Sequence, residues 1–266
     1  DKEVLQQCWY AVALKGFIQM ARMTGHNCDA MMAEQILDKM YYSFNEKYWN
    51  EELKHYKTPS YKDVPDDRAQ AMAVLAGFVP QERYPIIRQF FKEYYNASPY
   101  MEKYVLESLC VMGYYEDALQ RMEHRFGEMV AAPHTTLWEG WEYTGGRGMK
   151  YKSGNGTYNH AWSGGGLTIL SQYIAGIAPV EPAFKRFTVE PNLATLNFVE
   201  CVVPTIYGNI EMSAKRVGAQ LVITLIVPQG TTAQVVVPQG YNNLECDGVH
   251  TQQLILTEGK YTIIAE

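Results

Sequence analysis

Two carboxylates lie among aromatic rings in the segment TTLWEGWEY, residues 135–143. Glu139 stands between Trp138 and Trp141, and Glu142 follows three positions after Glu139. The segment contains no lysine or aspartate that could pair with these acids. Charged groups avoid apolar surroundings unless they are paired or have a chemical task. Ordinary packing of the rings around a solvated glutamate is the simpler explanation, and the segment by itself favours it.

A second group of polar and aromatic residues follows a glycine-rich stretch. It contains Asn159, His160 and Trp162, in the sequence NHAW. With Glu139 these residues provide a carboxylate, an imidazole, an amide and ring faces, which is the inventory of a carbohydrate site. A glycosidase needs one carboxylic acid to protonate the leaving oxygen and one carboxylate to activate water or attack the sugar. Helix capping by Asn159, with His160 satisfied in the core, explains NHAW equally well.

Three charged residues near predicted helix starts are further candidates for binding a substrate. Asp67, like Asp66 before it, is most simply a helix cap. Arg68 either pairs with a neighbouring acid or donates to a sugar hydroxyl. Glu102 lies in the first turn of its helix, where a negative charge is favourable whether or not it has a function.

The composition excludes several classes of protein. The 266 residues are 47% hydrophobic and 20% charged, which allows a large core, and the net charge of −6 without a basic stripe argues against nucleic acid. No apolar run approaches the ~20 residues that span a bilayer. Five cysteines and six histidines lack metal-ligand spacing, so neither a metal nor another cofactor is expected. The chain shows no signal peptide and begins within a predicted helix, which suggests a piece of a longer polypeptide.

Residues 1–178 have the periodicity of about seven short helices joined by short loops, typical of an array of antiparallel helical hairpins. The second helix is expected to be capped by Asn27 or Asp29 and to run through residue 44, and residues 45–57 are expected to form a loop with a short hairpin. Ser98 and Pro99 mark the start of another helix, and a final helix is predicted over residues 160–176.

From residue 179 to residue 266 the hydrophobic period changes to two, and Pro, Gly and Asn punctuate short runs such as AQLVITLIVP. This pattern is typical of an antiparallel β-sandwich. We place the domain boundary at 178/179, where the period changes.

Several segments, spread in order along the chain, carry a resemblance to a known family. They are DDRAQAMAVLAG (66–77), SPYMEKYVLESLCVMGYYEDALQRM (98–122), TTLWEGWEY (135–143), NHAWSGGGLTILSQYIAGI (159–177) and the tail FKRFTVEP with GNIEMSAKR. Together they resemble the C-terminal part of bacterial α-L-rhamnosidases of glycoside hydrolase family 78, especially the Bacteroides-type members. The resemblance implies that residues 1–178 are the C-terminal part of an (α/α)6 catalytic barrel and that residues 179–266 are the β-sandwich that follows it in the chain.

The resemblance also implies roles for individual residues. The family inverts the anomeric carbon, and the glutamate of its T-x-W-E motif is the general base, which falls on Glu139. The histidine of its N-H motif lies in the sugar pocket, which falls on His160. From the residues alone, Glu142 is an equal rival for the base. The remaining residues expected to bind substrate are Trp138, Trp141 and Trp162 as a wall against the sugar, together with Asn159, Glu142, Asp67, Arg68 and Glu102.

The predicted function is therefore that of an inverting α-L-rhamnosidase, which removes terminal rhamnose from glycans or glycosides. The family's general acid comes from an earlier segment that has no counterpart here, so the isolated chain is expected to be inactive. The expected partners are a carbohydrate and the upstream part of the same polypeptide, with no nucleic acid or membrane, and the resemblance implies a periplasmic or secreted protein. The alternatives are another helical-barrel glycosidase, for instance one acting on glucosides, a non-catalytic carbohydrate-binding module, or a scaffold region.

Overall fold

A computed structural model describes residues 1–141, 149–151 and 154–266. These residues form two compact units. The helical unit comprises residues 1–114 and 121–163, and the strand unit comprises residues 115–120 and 164–266. The predicted fold class, helical hairpins followed by a β-sandwich, is confirmed.

The described part of the helical region contains six helices of ten or more residues. They are α1 (Lys2–Met23), α2 (Asn27–Tyr48), α3 (Asp67–Ala76), α4 (Tyr84–Glu93), α5 (Pro99–Val111) and α6 (Tyr115–Ala131). Helix α1 packs against α2, the next helix along the chain. Alternate helices also pack together, α1 against α3 and α3 against α5.

Local sequence explains the starts of two of these helices. The Ser98 side chain accepts from the backbone N–H of Met101 at the start of α5, and Pro99 occupies the first helical position, as predicted. The Asp66 side chain accepts from the N–H of Arg68 at the start of α3. Both caps satisfy N–H groups that have no partner inside the helix.

Helix α2 differs from its prediction at both ends. Its N-cap is His26, which makes no side-chain capping bond, so the predicted caps Asn27 and Asp29 are wrong. The helix also runs on to Tyr48, through residues that were expected in a loop. The expected short hairpin follows directly, as β1 (Trp49–Asn50) paired with β2 (His55–Tyr56).

The last predicted helix, residues 160–176, is irregular. A 3₁₀ turn (Ala161–Gly164) leads into a short helix α7 (Gly165–Ile169), and a π-helical turn (Leu170–Ile174) ends it. Glycines 164–166 fall where the regular helix should begin, and glycine is the poorest helix former after proline. The prediction of one regular helix is therefore wrong in detail.

A hairpin pairs β3 (Met149–Tyr151) with β4 (Gly154–Gly156). The strand unit contains β5 (Ile177–Pro179), β6 (Arg186–Val189), β7 (Phe198–Thr205), β8 (Gly208–Val217), β9 (Gln220–Val227), β10 (Thr232–Val236), β11 (Leu244–Cys246), β12 (Val249–Thr251), β13 (Gln253–Leu256) and β14 (Gly259–Ala265). These strands form a sandwich of a four-stranded and a six-stranded sheet, in the orders β13-β10-β6-β5 and β12-β11-β14-β9-β8-β7. The pairs are antiparallel except β10 with β6, which run parallel.

Apolar residues at every second position of a strand lie on one face of it, and these faces pack into a single core. In β9, Leu221, Ile223 and Leu225 are buried on alternate positions. They belong to the same hydrophobic cluster as Phe187 of β6 and Val235 of β10, which lie in the other sheet. Burial of these side chains from both sheets holds the sandwich together.

Gly176 is a position in the strand unit where a side chain is not tolerated. Its φ is +71°, and a Cβ added there would lie 2.0 Å from the carbonyl oxygen of Glu190. We expect Gly176→Ala to lower the free energy of unfolding by at least ~2 kcal/mol, because left-handed strain and a backbone clash add. Urea denaturation of the full-length protein measures the change. Gly16→Ala in α1 is the matched control, since its Cβ would meet nothing within 4 Å and alanine should stabilise the helix slightly. Equal effects of both substitutions would contradict the prediction.

Candidate active site

The two segments that carry the candidate catalytic and binding residues lie side by side in the helical unit. The backbone N–H of Glu139 donates to the carbonyl of Thr157 at 2.9 Å, and the N–H of His160 donates to the carbonyl of Leu137 at 2.9 Å. These two bonds align the segments antiparallel to each other. As a result, the carboxylate of Glu139 lies next to the imidazole of His160.

Thr157 holds the carboxylate of Glu139 with two donors. Its backbone N–H lies 2.9 Å and its hydroxyl 3.2 Å from Oε2 of Glu139. The same hydroxyl lies 2.9 Å from Nδ1 of His160, and that nitrogen lies 3.5 Å from Oε2. The side chain of Glu139 is 24% exposed, so the carboxylate is oriented by the protein and still reached by solvent. This combination suits a group that takes a proton from water.

An aromatic surface adjoins this carboxylate. The rings of His160 and Trp162 have centroids 4.1 Å apart, and the ring of Tyr100 lies 5.6 Å from that of Trp162. Trp162 is 44% exposed, so a ring face remains available for an apolar sugar surface. Asn159, the neighbour of His160 in the chain, is also exposed.

Trp138 does not belong to this surface. It is fully buried, its ring packs edge-on against Tyr158, and its carbonyl accepts from the hydroxyl of Ser163 at 2.5 Å. Further chain added to the protein can only cover it more. The predicted role of Trp138 as part of the sugar wall is therefore wrong in this structure, where it anchors the Glu139 segment from beneath.

Trp141 occupies a partly buried position beside the same segment. Its indole N–H donates to the carbonyl of Ala97 at 2.7 Å, and its ring packs edge-on against Phe126. The guanidinium of Arg125 lies over the ring at 4.0 Å from the centroid, a cation–π contact. A sugar contact by Trp141 remains a prediction.

Asp67 and Glu102, two predicted substrate ligands, are fully buried in an ion-pair cluster. Nη2 of Arg121 lies 2.9 Å from Oδ2 of Asp67, and Nε of Arg121 donates to Oε1 of Glu102. Arg125 contacts the second oxygen of Glu102 at 3.3 Å. Neither acid can reach a sugar from this position, so these two assignments are corrected: both residues are structural.

The buried cluster is connected to the candidate site through one backbone segment. Oδ2 of Asp67 accepts from the N–H groups of Asn96 and Ala97, and the carbonyl of Ala97 accepts from both Arg125 and Trp141. Burial raises the pKa of Asp67 even though Arg121 beside it acts in the opposite direction. Burial likewise lowers the pKa of Arg125.

The two remaining candidates have different outcomes. Arg68 places Nε and Nη2 2.8 and 2.9 Å from the two oxygens of Asp66, so the predicted ion pair forms, and a hydroxyl contact by Arg68 remains a prediction. Glu142 lies outside the described residues, so the structure does not separate it from Glu139 as the base. Among the residues that the structure covers, no group of three or more His, Cys, Asp or Glu side chains could hold a metal ion, and no helix is long and apolar enough to cross a membrane.

Sequence reasoning missed three residues that the structure brings into play: Thr157, Tyr100 and Arg121. Tyr100 follows the predicted helix start at Pro99, and its aromatic ring was the available signal. Thr157 and Arg121 carried no comparable signal, because their importance comes from contacts between distant segments.

Two family models match the chain. Residues 1–174 match the bacterial α-L-rhamnosidase six-hairpin glycosidase domain, and residues 176–251 match the bacterial α-L-rhamnosidase C-terminal domain. An α-L-rhamnosidase of Formosa agariphila is 28% identical over 106 residues, which are 39% of this chain and 11% of that protein.

Solved structures share the fold. An α-L-rhamnosidase from Dictyoglumus thermophilum superposes with a TM-score of 0.79 at 19% identity, over 97% of this chain and 31% of that one. The Streptomyces avermitilis α-L-rhamnosidase, solved with L-rhamnose, gives 0.77 at 17% identity, over 100% of this chain and 27% of that one. The chain thus spans less than a third of each of these relatives.

Proposed function

The chain belongs to the bacterial α-L-rhamnosidase six-hairpin glycosidase domain family, and on that premise we propose that the protein containing it hydrolyses α-L-rhamnosides with inversion at the anomeric carbon. The observation that carries the proposal is the carboxylate of Glu139. It is partly exposed, held by both donors of Thr157, and adjacent to the ring of His160, which in turn contacts the ring of Trp162. The likeness to a structure solved with L-rhamnose supports the choice of sugar.

In this proposal Glu139 is the general base. Both donors of Thr157 converge on Oε2, so we assign Oε1 to the attacking water. Glu139 removes a proton as the water oxygen attacks the anomeric carbon on the face opposite the leaving group. A carboxylic acid ~6.5–9.5 Å away then protonates the leaving oxygen. We assign that acid to a part of the polypeptide upstream of Asp1.

His160 and Trp162 bind the sugar in this proposal. The imidazole forms a hydrogen bond with a sugar hydroxyl, and the indole packs against the sugar's C–H face, including the methyl group of a 6-deoxy sugar. Neither residue takes part in proton transfer. Their contribution is to hold the anomeric carbon within reach of the water on Glu139.

The test is hydrolysis of an aryl α-L-rhamnoside by the full-length protein, with proton NMR of the first sugar anomer formed. We expect release of the aryl group and initial formation of β-L-rhamnose, the inverted product. Initial α-L-rhamnose would overturn the inverting mechanism. Turnover of an aryl α-D-glucoside in place of the rhamnoside would indicate another glycosidase, and sugar binding without turnover would indicate a binding module.

Trp162 provides a second test of the sugar surface. We expect Trp162→Ala to raise KM for the aryl rhamnoside about tenfold, because removing a ring face worth ~1.5 kcal/mol of contact costs about one decade in affinity. Trp162→Phe is the matched control, since it keeps an aromatic face and should lose much less. Steady-state kinetics measure both. If alanine and phenylalanine leave KM unchanged, the sugar lies elsewhere.

We also propose that the protein acts outside the cytoplasm, in the periplasm or the medium. This proposal rests on the family resemblance alone. Cell fractionation followed by immunodetection of the full-length protein tests it, and recovery in the cytoplasmic fraction would contradict it.

A further inference from the structure

A single hydroxyl lies between the carboxylate of Glu139 and the imidazole of His160. Oγ1 of Thr157 is 3.2 Å from Oε2 of Glu139 and 2.9 Å from Nδ1 of His160. A hydroxyl has one proton to donate and two lone pairs that accept. Thr157 therefore cannot be the hydrogen-bond donor in both contacts.

The charges decide which contact receives the proton of Thr157. An ionised carboxylate only accepts hydrogen bonds, and bonds to a charged acceptor are roughly twice as strong as neutral ones. The hydroxyl of Thr157 therefore donates to Glu139. Nδ1 of His160 must then carry a proton and donate it to the oxygen of Thr157. The alternative would direct the oxygen lone pairs of Thr157 at the carboxylate without a proton between them.

We infer that Thr157 is a positioning residue that fixes two things at once: the orientation of the general base and the tautomer of His160. The first part, orientation of a general base, rests on the proposed function. With Nδ1 protonated, the neutral imidazole of His160 presents Nε2 as an acceptor. His160 would then select a sugar hydroxyl that donates a hydrogen bond, and the same hydroxyl could not be replaced by a hydrogen or a methoxy group without loss of that bond.

The kinetic test compares two variants of the full-length protein. Thr157→Val has nearly the same shape and keeps the backbone N–H that donates to Glu139, but it lacks the hydroxyl. We expect a loss of about 10- to 100-fold in kcat/KM on an aryl α-L-rhamnoside, the range for a hydrogen bond to a charged group. Thr157→Ser restores the hydroxyl and should remain within a few-fold of wild type. Equal losses in both variants, or no loss in the valine variant, would overturn the positioning of the base.

The tautomer is tested separately, by solid-state NMR of the full-length protein with ¹⁵N-labelled histidine at a pH where the imidazole is neutral. The spectrum of a His160→Gln variant identifies the His160 signals by difference. We expect an N–H at Nδ1 and an unprotonated Nε2 in wild type and in Thr157→Ser, and a changed distribution in Thr157→Val. A protonated Nε2 in wild type, or no change in the valine variant, would overturn the assignment.

The two measurements separate this inference from the proposed function. A wild-type protein inactive on every rhamnoside would overturn the proposed function and the catalytic meaning of Thr157. The NMR result would still decide whether Thr157 fixes the tautomer of His160, because it requires no turnover.

Discussion

Glu139→Gln in the full-length protein is expected to lower kcat on an aryl α-L-rhamnoside by at least ~100-fold, the low end of the contribution from general acid–base catalysis. Glutamine has the size of glutamate, and its carbonyl oxygen can still accept from the N–H and hydroxyl of Thr157. It cannot accept the proton of an attacking water. KM should therefore change much less than kcat, because the binding surface of His160 and Trp162 is retained.

The control for this substitution is a glutamate outside the candidate site. Glu34→Gln removes a charge that pairs with Arg22 on the surface of the hairpin of α1 and α2, and we expect an unchanged kcat.

Chemical rescue by a small anion tests directly whether Glu139 acts as the base. Glu139→Ala leaves room for a small anion, and added azide, which needs no base, should restore aryl release. If Glu139→Gln keeps its rate, the base is another residue, and Glu142 is the first to substitute.

The place of the candidate site could be predicted, but its internal connections could not. Glu139 and His160 were identifiable because each is a reactive residue type within its own short segment. Thr157 becomes important only when the backbone bonds between residues 137–139 and 157–160 align it with the carboxylate. Such a contact between two loops leaves no periodic or compositional trace in the sequence.

Burial is the property that sequence reasoning judged least well. Trp138 and Trp141 stand three positions apart in one motif, yet one is fully buried and the other contacts Ala97 and Arg125. Sequence alone predicts Asp67 as a possible sugar ligand, because the residues near it do not reveal its ion-pair partner. That partner, Arg121, lies 54 residues later in the chain. Periodicity reports which face of a helix is apolar, but it does not show where a distant arginine neutralises a buried acid.

The fold followed more closely from the sequence, since helices and strands depend on local spacing. The change of hydrophobic period predicted helical hairpins followed by a sandwich, and the caps at Asp66 and Ser98 formed as expected. The departures have local or long-range causes. Consecutive glycines make the segment around α7 irregular, and the parallel pairing of β10 with β6 depends on chain connections that alternation does not encode.

Arg121→Leu has the largest expected effect on stability. Arg121 donates to Asp67 and Glu102, and its Nη1 also donates to the carbonyls of Phe91 and Tyr94. Leucine would remove the guanidinium from both buried carboxylates and would remove the donor to these carbonyls. Among the described residues, Asp67 would keep only backbone N–H donors, and Glu102 only Arg125. Removing one partner of a buried ion pair costs ~3–5 kcal/mol, because the remaining charge is uncompensated. We expect that loss in the free energy of unfolding, measured as a lower urea midpoint for the full-length protein.

The matched control is Arg22→Leu, whose guanidinium pairs with Glu34 at the surface and is 59% exposed. Exposed pairs contribute ~0–1 kcal/mol, so this variant should unfold at a urea concentration close to that of wild type.

The pH dependence of the stability of Arg121→Leu tests whether the buried charges cause the loss. In Arg121→Leu the pKa of Asp67, already raised by burial, rises further, because the positive charge that opposed the shift is gone. A carboxyl group whose pKa is higher in the folded state than in the unfolded state stabilises the fold at low pH. That stabilisation is lost as the pH rises through the folded-state pKa. The deficit of Arg121→Leu should therefore shrink between pH 7 and pH 5, whereas a deficit that is constant with pH would mean that packing, not the buried charges, carries the effect.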